Sequence, residues 1–233
     1  LAPLAALVCS VGAAFGVAHD GDADRAVFID DKGRFVEENK EFALIADAVC
    51  AGKNGIIVTP VSSSRLIEEI GGRYGCSVEY TAVGSIYVAR RMLALIQAGE
   101  TVLFGGEGNG GLIYPDHQFC RDGGMTAAMM VRLLSLKKRP LSALVDELPP
   151  SVMLKHKFHT DRSLQLLDAV RTRFSADRLN GVDGIRIDRD QCWALIRPSG
   201  TEPLVRLYVE SSSPEIASTF EAEILACINP ILS

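Results

Sequence analysis

Three aspartates stand at every second position in "AHDGDADR", Asp20, Asp22 and Asp24, and Arg25 follows at once. In an extended backbone alternate side chains share a face, so the three carboxylates can converge. Two unscreened charges about 4 Å apart repel by several kcal/mol at intermediate dielectric, and a hard divalent cation with oxygen ligands removes that cost. Magnesium (Mg2+) is the first candidate, because a small number of carboxylates leaves coordination positions for a phosphate oxygen and water. Apolar runs on both sides set the loop at strand ends, where α/β folds gather ligands.

Other readings compete for this loop. A calcium EF-hand also spaces its aspartates this way, and Asp31 falls at its last ligand place, but Arg25 stands where that loop needs glycine and the flanks are strand-like. A phosphatase of the haloacid dehalogenase kind opens with D-x-D after a strand, yet wants Thr or Val where this chain has Asp24. A solvated acidic turn is the plain alternative. His19, beside Asp20, reads as a packed strand-end residue, since hard oxygen ligands are already supplied; His117, His156 and His159 have no evident partner.

A second stretch, "RPSGTEP" over 197–203, lies between the apolar runs "CWALI" and "LVRLYVES". A turn through Gly200 exposes backbone N–H groups, Ser199 and Thr201 add hydroxyls, and Arg197 with Arg206 adds forked positive charge. Together these suit a phosphate monoester, with a plain hairpin turn as the competing reading. A third stretch, "FGGEGNGG" over 104–111, is richer in glycine than a helix or strand needs, so backbone passes close to something while Glu107 and Asn109 point outward. A carboxylate and an amide are what polyol hydroxyls require. The string fits G-x-G-x-x-G in form but lacks the strand-turn-helix context of a dinucleotide site.

The elements that must position these loops alternate between β-rich runs and amphipathic stretches, the pattern of an α/β layer fold. Residues 3–13 read as a helix opened by Pro3, 15–19 and 26–30 as strands, and 30–33 as a turn. "GIIVT", "CSVEYTAV" and "TVLFG" read as strands, Ser62 to Ser64 as N-caps for a helix through Arg73, and "SIYVARRMLALIQAG" as a helix ending at Gly99. Asp122 caps a long helix that stops before Pro140. After "DELPPS" the order changes: a strand over 152–159, a helix over 161–174, a hairpin with a third strand, and a helix over 214–228. Strands meeting in hairpins predict a separate α+β unit, with a linker near Leu148 to Ser151.

The chain has 233 residues, 48% hydrophobic and 23% charged, with a net charge of −5. That balance excludes a general nucleic-acid or membrane surface, which needs a basic field, so an anionic ligand must be held by a local pocket. Six cysteines without a C-x-x-C pair predict buried free thiols in a reducing cytoplasm rather than a zinc or redox motif. The apolar first eighteen residues lack the basic leader of a signal peptide. The chain begins with leucine, which raises the expectation of a piece of a longer protein.

In this order and spacing, "AHDGDADR", "TAVGSIYV", "GGEGNGG" and "IRPSGTEPLVR" resemble the α-D-phosphohexomutase superfamily, the phosphoglucomutases, phosphomannomutases and phosphoglucosamine mutases, with the glycine-rich wording similar to archaeal-type members. The resemblance implies three similar α/β domains with mixed sheets and a C-terminal α+β domain with a TATA-box-binding-protein-like sheet. On that basis 1–35 ends the second domain and carries the metal loop, 36–148 is the third domain with the sugar loop, and 149–233 is the fourth with the phosphate loop. It implies that Asp20, Asp22 and Asp24 are magnesium ligands with Arg25 beside them. It further implies that Glu107 and Asn109 read sugar hydroxyls near Gly84 at the tight turn of Thr81 to Ser85, and that Arg197, Ser199, Gly200 and Thr201 grip the substrate phosphate with Arg206 in support.

The implied activity interconverts hexose 6-phosphate and hexose 1-phosphate, of mannose, glucose or glucosamine, through a hexose 1,6-bisphosphate. The family's phosphorylated serine lies in a Thr-Ala-Ser-His-Asn-Pro-like segment before the metal loop, and nothing like it occurs here, since Ser62 to Ser64 lie downstream. The expectation is therefore a cytoplasmic phosphomutase whose nucleophile lies outside these residues, with this piece alone inactive. A non-catalytic sugar-phosphate-binding fragment and a metal-dependent phosphatase are the alternatives. Gly111 departs from the pattern, since many relatives have histidine there.

Overall fold

The computed structural model describes residues 1–200 and 202–232, which form two compact units, Leu1–Leu148 and Pro149–Ser233. In the first, α1 (Ala2–Val11) carries Pro3 in its opening turn, where the missing N–H has no helical partner to lose. β1 (Phe15–His19) and β2 (Ala26–Asp30) pair antiparallel, with His19 opposite Ala26, so the three aspartates occupy the tip of a hairpin. Asp30 then accepts hydrogen bonds from the N–H groups of Lys32 and Arg34, closing the turn into β3 (Phe35–Val36).

An element that the periodicity passed over follows, α2 (Glu38–Cys50). Its N-cap is Glu37, whose carboxylate accepts from the N–H groups of Asn39 and Lys40, in place of the short side chains that mark most helix starts. Next come β4 (Ile56–Pro60), α3 (Leu66–Gly72), β5 (Ser77–Thr81), α4 (Ser85–Gln97), β6 (Val102–Glu107) and β7 (Gly111–Ile113). Ser64 Oγ accepts from Leu66 N–H at 3.1 Å, so it serves the start of α3 as expected. The four strands lie in the order β5-β4-β6-β7, parallel except for the β6-β7 pair. α5 (Gly123–Lys137) and α6 (Leu141–Asp146) complete the unit.

Alternation along β4 decides the layers. Ile57 packs with Phe104 under Phe42, Val49, Ile67 and Ile70 of α2 and α3, whereas Val58 faces Val88 and Met92 of α4 on the other side. The small antiparallel sheet lays Ala26, Phe28 and Val36 on Leu44 of α2, Met130 and Leu133 of α5, and Leu141 of α6. Residues 1–35 are thus built into the same compact unit as the sheet that follows.

The second unit holds β8 (Val152–His159), α7 (Ser163–Arg173), β9 (Arg178–Asn180), β10 (Ile185–Asp188), β11 (Cys192–Pro198), β12 (Leu204–Ser211) and α8 (Pro214–Leu232). Its strands run antiparallel in the order β8-β12-β11-β10-β9. Ile185, Ile187, Ala194, Ile196, Val205 and Leu207 face Leu166, Val170, Phe220 and Ile224 of the two helices. The alternate residues, among them Lys157, Arg197 and Arg206, therefore project from the opposite face. α8 runs past the expected end at 228, with Pro230 inside it.

Two histidines that had no partner in the sequence acquire one, His156 with Glu221 and His117 with Asp122. None of the six cysteines is in a disulfide; Cys50 and Cys192 are buried, but Cys9 and Cys120 are exposed, against the expectation of buried thiols. No described helix is long and apolar enough to cross a membrane.

Candidate functional site

Among the described residues, Asp20, Asp22 and Asp24 form a group in which one oxygen from each lies within 4.8 Å of the others. Arg25 explains how such crowding is tolerated. Its Nε donates to Asp20 Oδ2 at 2.6 Å and lies 3.6 Å from Asp24 Oδ1, and its N–H donates to Asp20 Oδ1 at 3.2 Å. Partial loss of hydration pushes the Asp20 carboxyl up, but the hydrogen bonds and charge of Arg25 outweigh it and hold the group below the usual carboxylate value. Asp24 Oδ1 is buried without any hydrogen bond. Arg25 Nε, 3.6 Å away, offsets its charge without hydrogen-bonding it, and a metal cation would complete it.

The start of α5 presses against this loop. Gly123 N–H donates to Ala23 O at 3.2 Å, and a Cβ at Gly123 would stand 2.6 Å from His19 Nδ1 and 2.8 Å from Arg25 O. Asp122 N-caps the helix, accepting from Met125 N–H at 2.8 Å, and that bond, followed by those from His117 and Gln118, keeps its carboxyl below the usual value. His19 ends β1, is exposed, and meets Arg25 O through Nδ1 at 3.2 Å; it lies outside the carboxylate group.

The glycine-rich loop joining β6 to β7 reaches the same hairpin, since Ala26 N–H donates to Gly110 O at 2.9 Å. Gly110 sits at φ 84°, and any Cβ there would overlap the Ala26 carbonyl oxygen, so both backbone conformation and close approach require glycine. Glu107 departs from the outward orientation expected of it: it is 9% exposed. Its Oε1 accepts from Gly84 N–H at 3.0 Å, and its Oε2 from Asn109 Nδ2 at 2.8 Å and Arg121 at 3.4 Å. Gly84, at the N-cap of α4 with φ 134°, thereby joins the sugar-loop candidates in one cluster. Asn109 Oδ1 is buried and unpartnered.

Arg121 is the residue that sequence reasoning missed. It also binds Asp24 Oδ2, so its guanidinium spans the two loops. A lone arginine before a helix cap carries no sequence signal; its role arises from the approach of two loops far apart in the chain.

In the second unit, Arg197 Nε donates to Asp183 Oδ2 at 3.0 Å, and Ser199 N–H to Leu204 O at 2.8 Å, which closes the turn carrying exposed Gly200. Thr201 lies outside the described residues. Arg206 stands directly across from both Arg197 and Lys157, and its Nε is buried without a hydrogen bond. Like charges paired across strands repel. This row has Asp183 against Arg197 and Glu202 at 4.0 Å from Arg206, and it suits an anion. Lys157 could have been found from the alternation of "VMLKHKFH", which puts it on one face with Lys155.

Residues 37–152 match the family model described as Phosphoglucomutase/phosphomannomutase, alpha/beta/alpha domain III, and residues 156–226 match that of the C-terminal domain. The chain belongs to the phosphoglucomutase/phosphomannomutase family. It is 41% identical over 218 residues to a phosphoglucomutase/phosphomannomutase of Thermococcus kodakarensis, covering 92% of this chain and 47% of that protein. It is 37% identical over 219 residues to a phosphoglucosamine/phosphogalactosamine mutase of Sulfurisphaera tokodaii, covering 90% of this chain and 47% of that protein. The chain spans about half the length of these curated relatives.

Among solved structures, a phosphoglucomutase/phosphomannomutase family protein from Burkholderia thailandensis superposes with a TM-score of 0.83 at 23% identity, covering 98% of this chain and 49% of that one. The Aspergillus fumigatus N-acetylphosphoglucosamine mutase in complex with GlcNAc-6P and magnesium gives 0.60 at 15% identity, covering 91% and 51%. Both likenesses bear on the fold alone, and they agree with the mixed α/β and α+β architecture of the family.

Proposed function

We propose that this chain is the cation-, sugar- and phosphate-reading part of a hexose phosphate mutase, which interconverts hexose 6-phosphate and hexose 1-phosphate through a hexose 1,6-bisphosphate. The phosphoserine that gives and takes the phosphoryl group would lie outside these 233 residues. The observation that carries this reading is the convergence of Asp20, Asp22 and Asp24 with a buried Asp24 oxygen that accepts no hydrogen bond, in the same compact unit as Glu107 and Asn109. Family membership supports it, as do the magnesium and GlcNAc-6P bound to the Aspergillus fumigatus mutase.

The donor set fits a hard divalent cation, which Asp20, Asp22 and Asp24 would hold, and magnesium there supplies Lewis-acid neutralisation of charge on phosphoryl oxygens. The rest belongs to the chain's own groups. Arg25 orients Asp20 and limits repulsion within the trio. Asn109 Oδ1, an acceptor without a donor, takes a sugar hydroxyl, and Glu107 fixes the amide that presents it. The Arg197 loop, with Ser199, Gly200, Thr201 and Arg206, anchors the phosphate that does not react, so that remote binding energy is spent on orientation. Phosphoryl transfer depends on such positioning and charge neutralisation.

Incubation of the chain with glucose 1-phosphate, magnesium and glucose 1,6-bisphosphate tests the reading. The expected result is no isomerised sugar from these residues alone, with calorimetric magnesium binding that Asp22→Asn weakens. Turnover would overturn the placement of the nucleophile, and unchanged magnesium affinity in Asp22→Asn would remove the metal site. Inorganic phosphate without isomerised sugar would favour a metal-dependent phosphatase.

A further inference from the structure

We infer that Arg121 is a positioning residue that couples cation binding at the aspartate hairpin to the carboxylate of the sugar loop. This rests on the metal and sugar reading above and goes beyond it, because the coupling residue belongs to neither loop.

One end of the guanidinium is on Asp24 Oδ2 and the other, at 3.4 Å, on Glu107 Oε2. With Arg121 holding Oδ2, the other oxygen of Asp24, Oδ1, is left without a hydrogen bond, 3.6 Å from Arg25 Nε. Glu107 in turn orders Asn109 and the Gly84 turn through its remaining bonds. The path of the arginine is built into the fold. Asp122 N–H is tied to Leu112 O at 2.9 Å, which fixes the backbone just after Arg121. The side chain then runs across Gly111, where a Cβ would overlap Arg121 Cδ and lie 2.9 Å from Cγ. Glycine at 111 is therefore the space through which the guanidinium reaches both loops.

Charge points the same way. Asp20, Asp22, Asp24 and Glu107 bring four carboxylates to this chain of ion pairs, and Arg25 and Arg121 bring two guanidinium groups. The two negative charges left over are what one divalent cation would neutralise. Arg121 and that cation compete for Asp24, while Glu107 draws Arg121 away from it. Weakening the Glu107 end strengthens the grip on Asp24 and lowers cation affinity; by reciprocity, a cation that draws on Asp24 releases Arg121 toward Glu107.

Calorimetric titration of magnesium chloride into the 233-residue chain, Glu107→Gln, Arg121→Gln and the double variant closes a thermodynamic cycle. Glu107→Gln is expected to weaken magnesium binding in the parent, and its effect to shrink by about fivefold or more once Arg121 is Gln. Arg121→Lys keeps the charge but has no fork to span two carboxylates, so the coupling falls there as well. Gly111→Ala displaces the arginine without removing it and should behave alike; these two variants carry the test if Arg121→Gln does not fold. Effects that multiply independently within about twofold overturn the coupling while leaving the metal site standing, and full coupling in Arg121→Lys assigns it to charge alone and overturns the bridge. Magnesium that fails to bind the parent chain overturns the metal reading, and this inference with it.

Discussion

Glu41 lies in the first turn of α2, 1% exposed, and its Oε2 has no hydrogen bond. Burial pushes its carboxyl well above the usual value, and the neighbouring charges of Glu38 and Glu37 push the same way. Asp24 also has a buried unpartnered oxygen, but two arginines face that carboxylate. The contrast separates a carboxyl with no cation beside it, whose ionisation burial disfavours, from one that two guanidinium groups flank. Because the folded value is raised, the native state holds a proton that the unfolded chain has already released. Stability therefore falls as pH rises from the ordinary carboxylate range toward the raised value, by up to about 1.4 kcal/mol per pH unit. Glu41→Gln keeps the shape and removes the ionisation, so it should stabilise the chain at neutral pH and flatten that slope. Urea denaturation at several pH values checks this; parallel slopes for parent and variant would show that Glu41 ionises freely in the fold.

Helix α5 shows at the scale of an element what the sequence could and could not tell. Its start was legible, because Asp122 before an apolar periodic stretch is a cap signal, and the cap bond to Met125 N–H is present. The hairpin of β1 and β2 was legible for a similar local reason, since the strands alternate and the aspartates interrupt them. α2 was not, because Glu37 caps it with a long side chain that has no special claim to that position. Glu107 was read as facing outward because nothing local reveals that Gly84, 23 residues earlier, donates to it. Arg121 was invisible for the same reason, and so were the orphaned oxygens of Asp24 and Asn109. Local chemistry names the loops, whereas their partners depend on tertiary approach. Asp122→Ala removes the cap and the acceptor for His117 and Gln118, with an expected cost of about 1–2 kcal/mol. The depressed carboxyl contributes stability above its ordinary value, lost as pH falls through the folded one. Asp122→Asn should keep most of the cap but not that acid sensitivity. Equal urea midpoints for parent and Asp122→Ala would show that the cap is idle.

At the scale of the whole molecule, the boundary at Leu148 and Pro149 divides two cores that close on their own elements. In the second, Leu166, Val170, Phe174, Phe220, Ile224 and Ile228 cover one face of a five-stranded sheet, all of them supplied from within the unit. Arg189 adds to it, stacked 4.3 Å from the Phe220 ring while paired with Asp177 and Glu223. A sheet with its helices and an apolar interior of this kind meets the requirements for independent folding. Residues 149–233 expressed alone should therefore unfold cooperatively in urea. They also carry the Arg197 turn and the Lys157–Arg206–Arg197 row, so the fragment should bind glucose 1-phosphate weakly on its own. Arg197→Ala in that fragment should weaken binding by about tenfold or more, as expected when a charge-assisted hydrogen bond to phosphate is lost. An Arg197→Ala fragment that unfolds like its parent and binds the phosphosugar equally well would discredit the phosphate loop, since folding would then be intact and only the anion assignment left to fail.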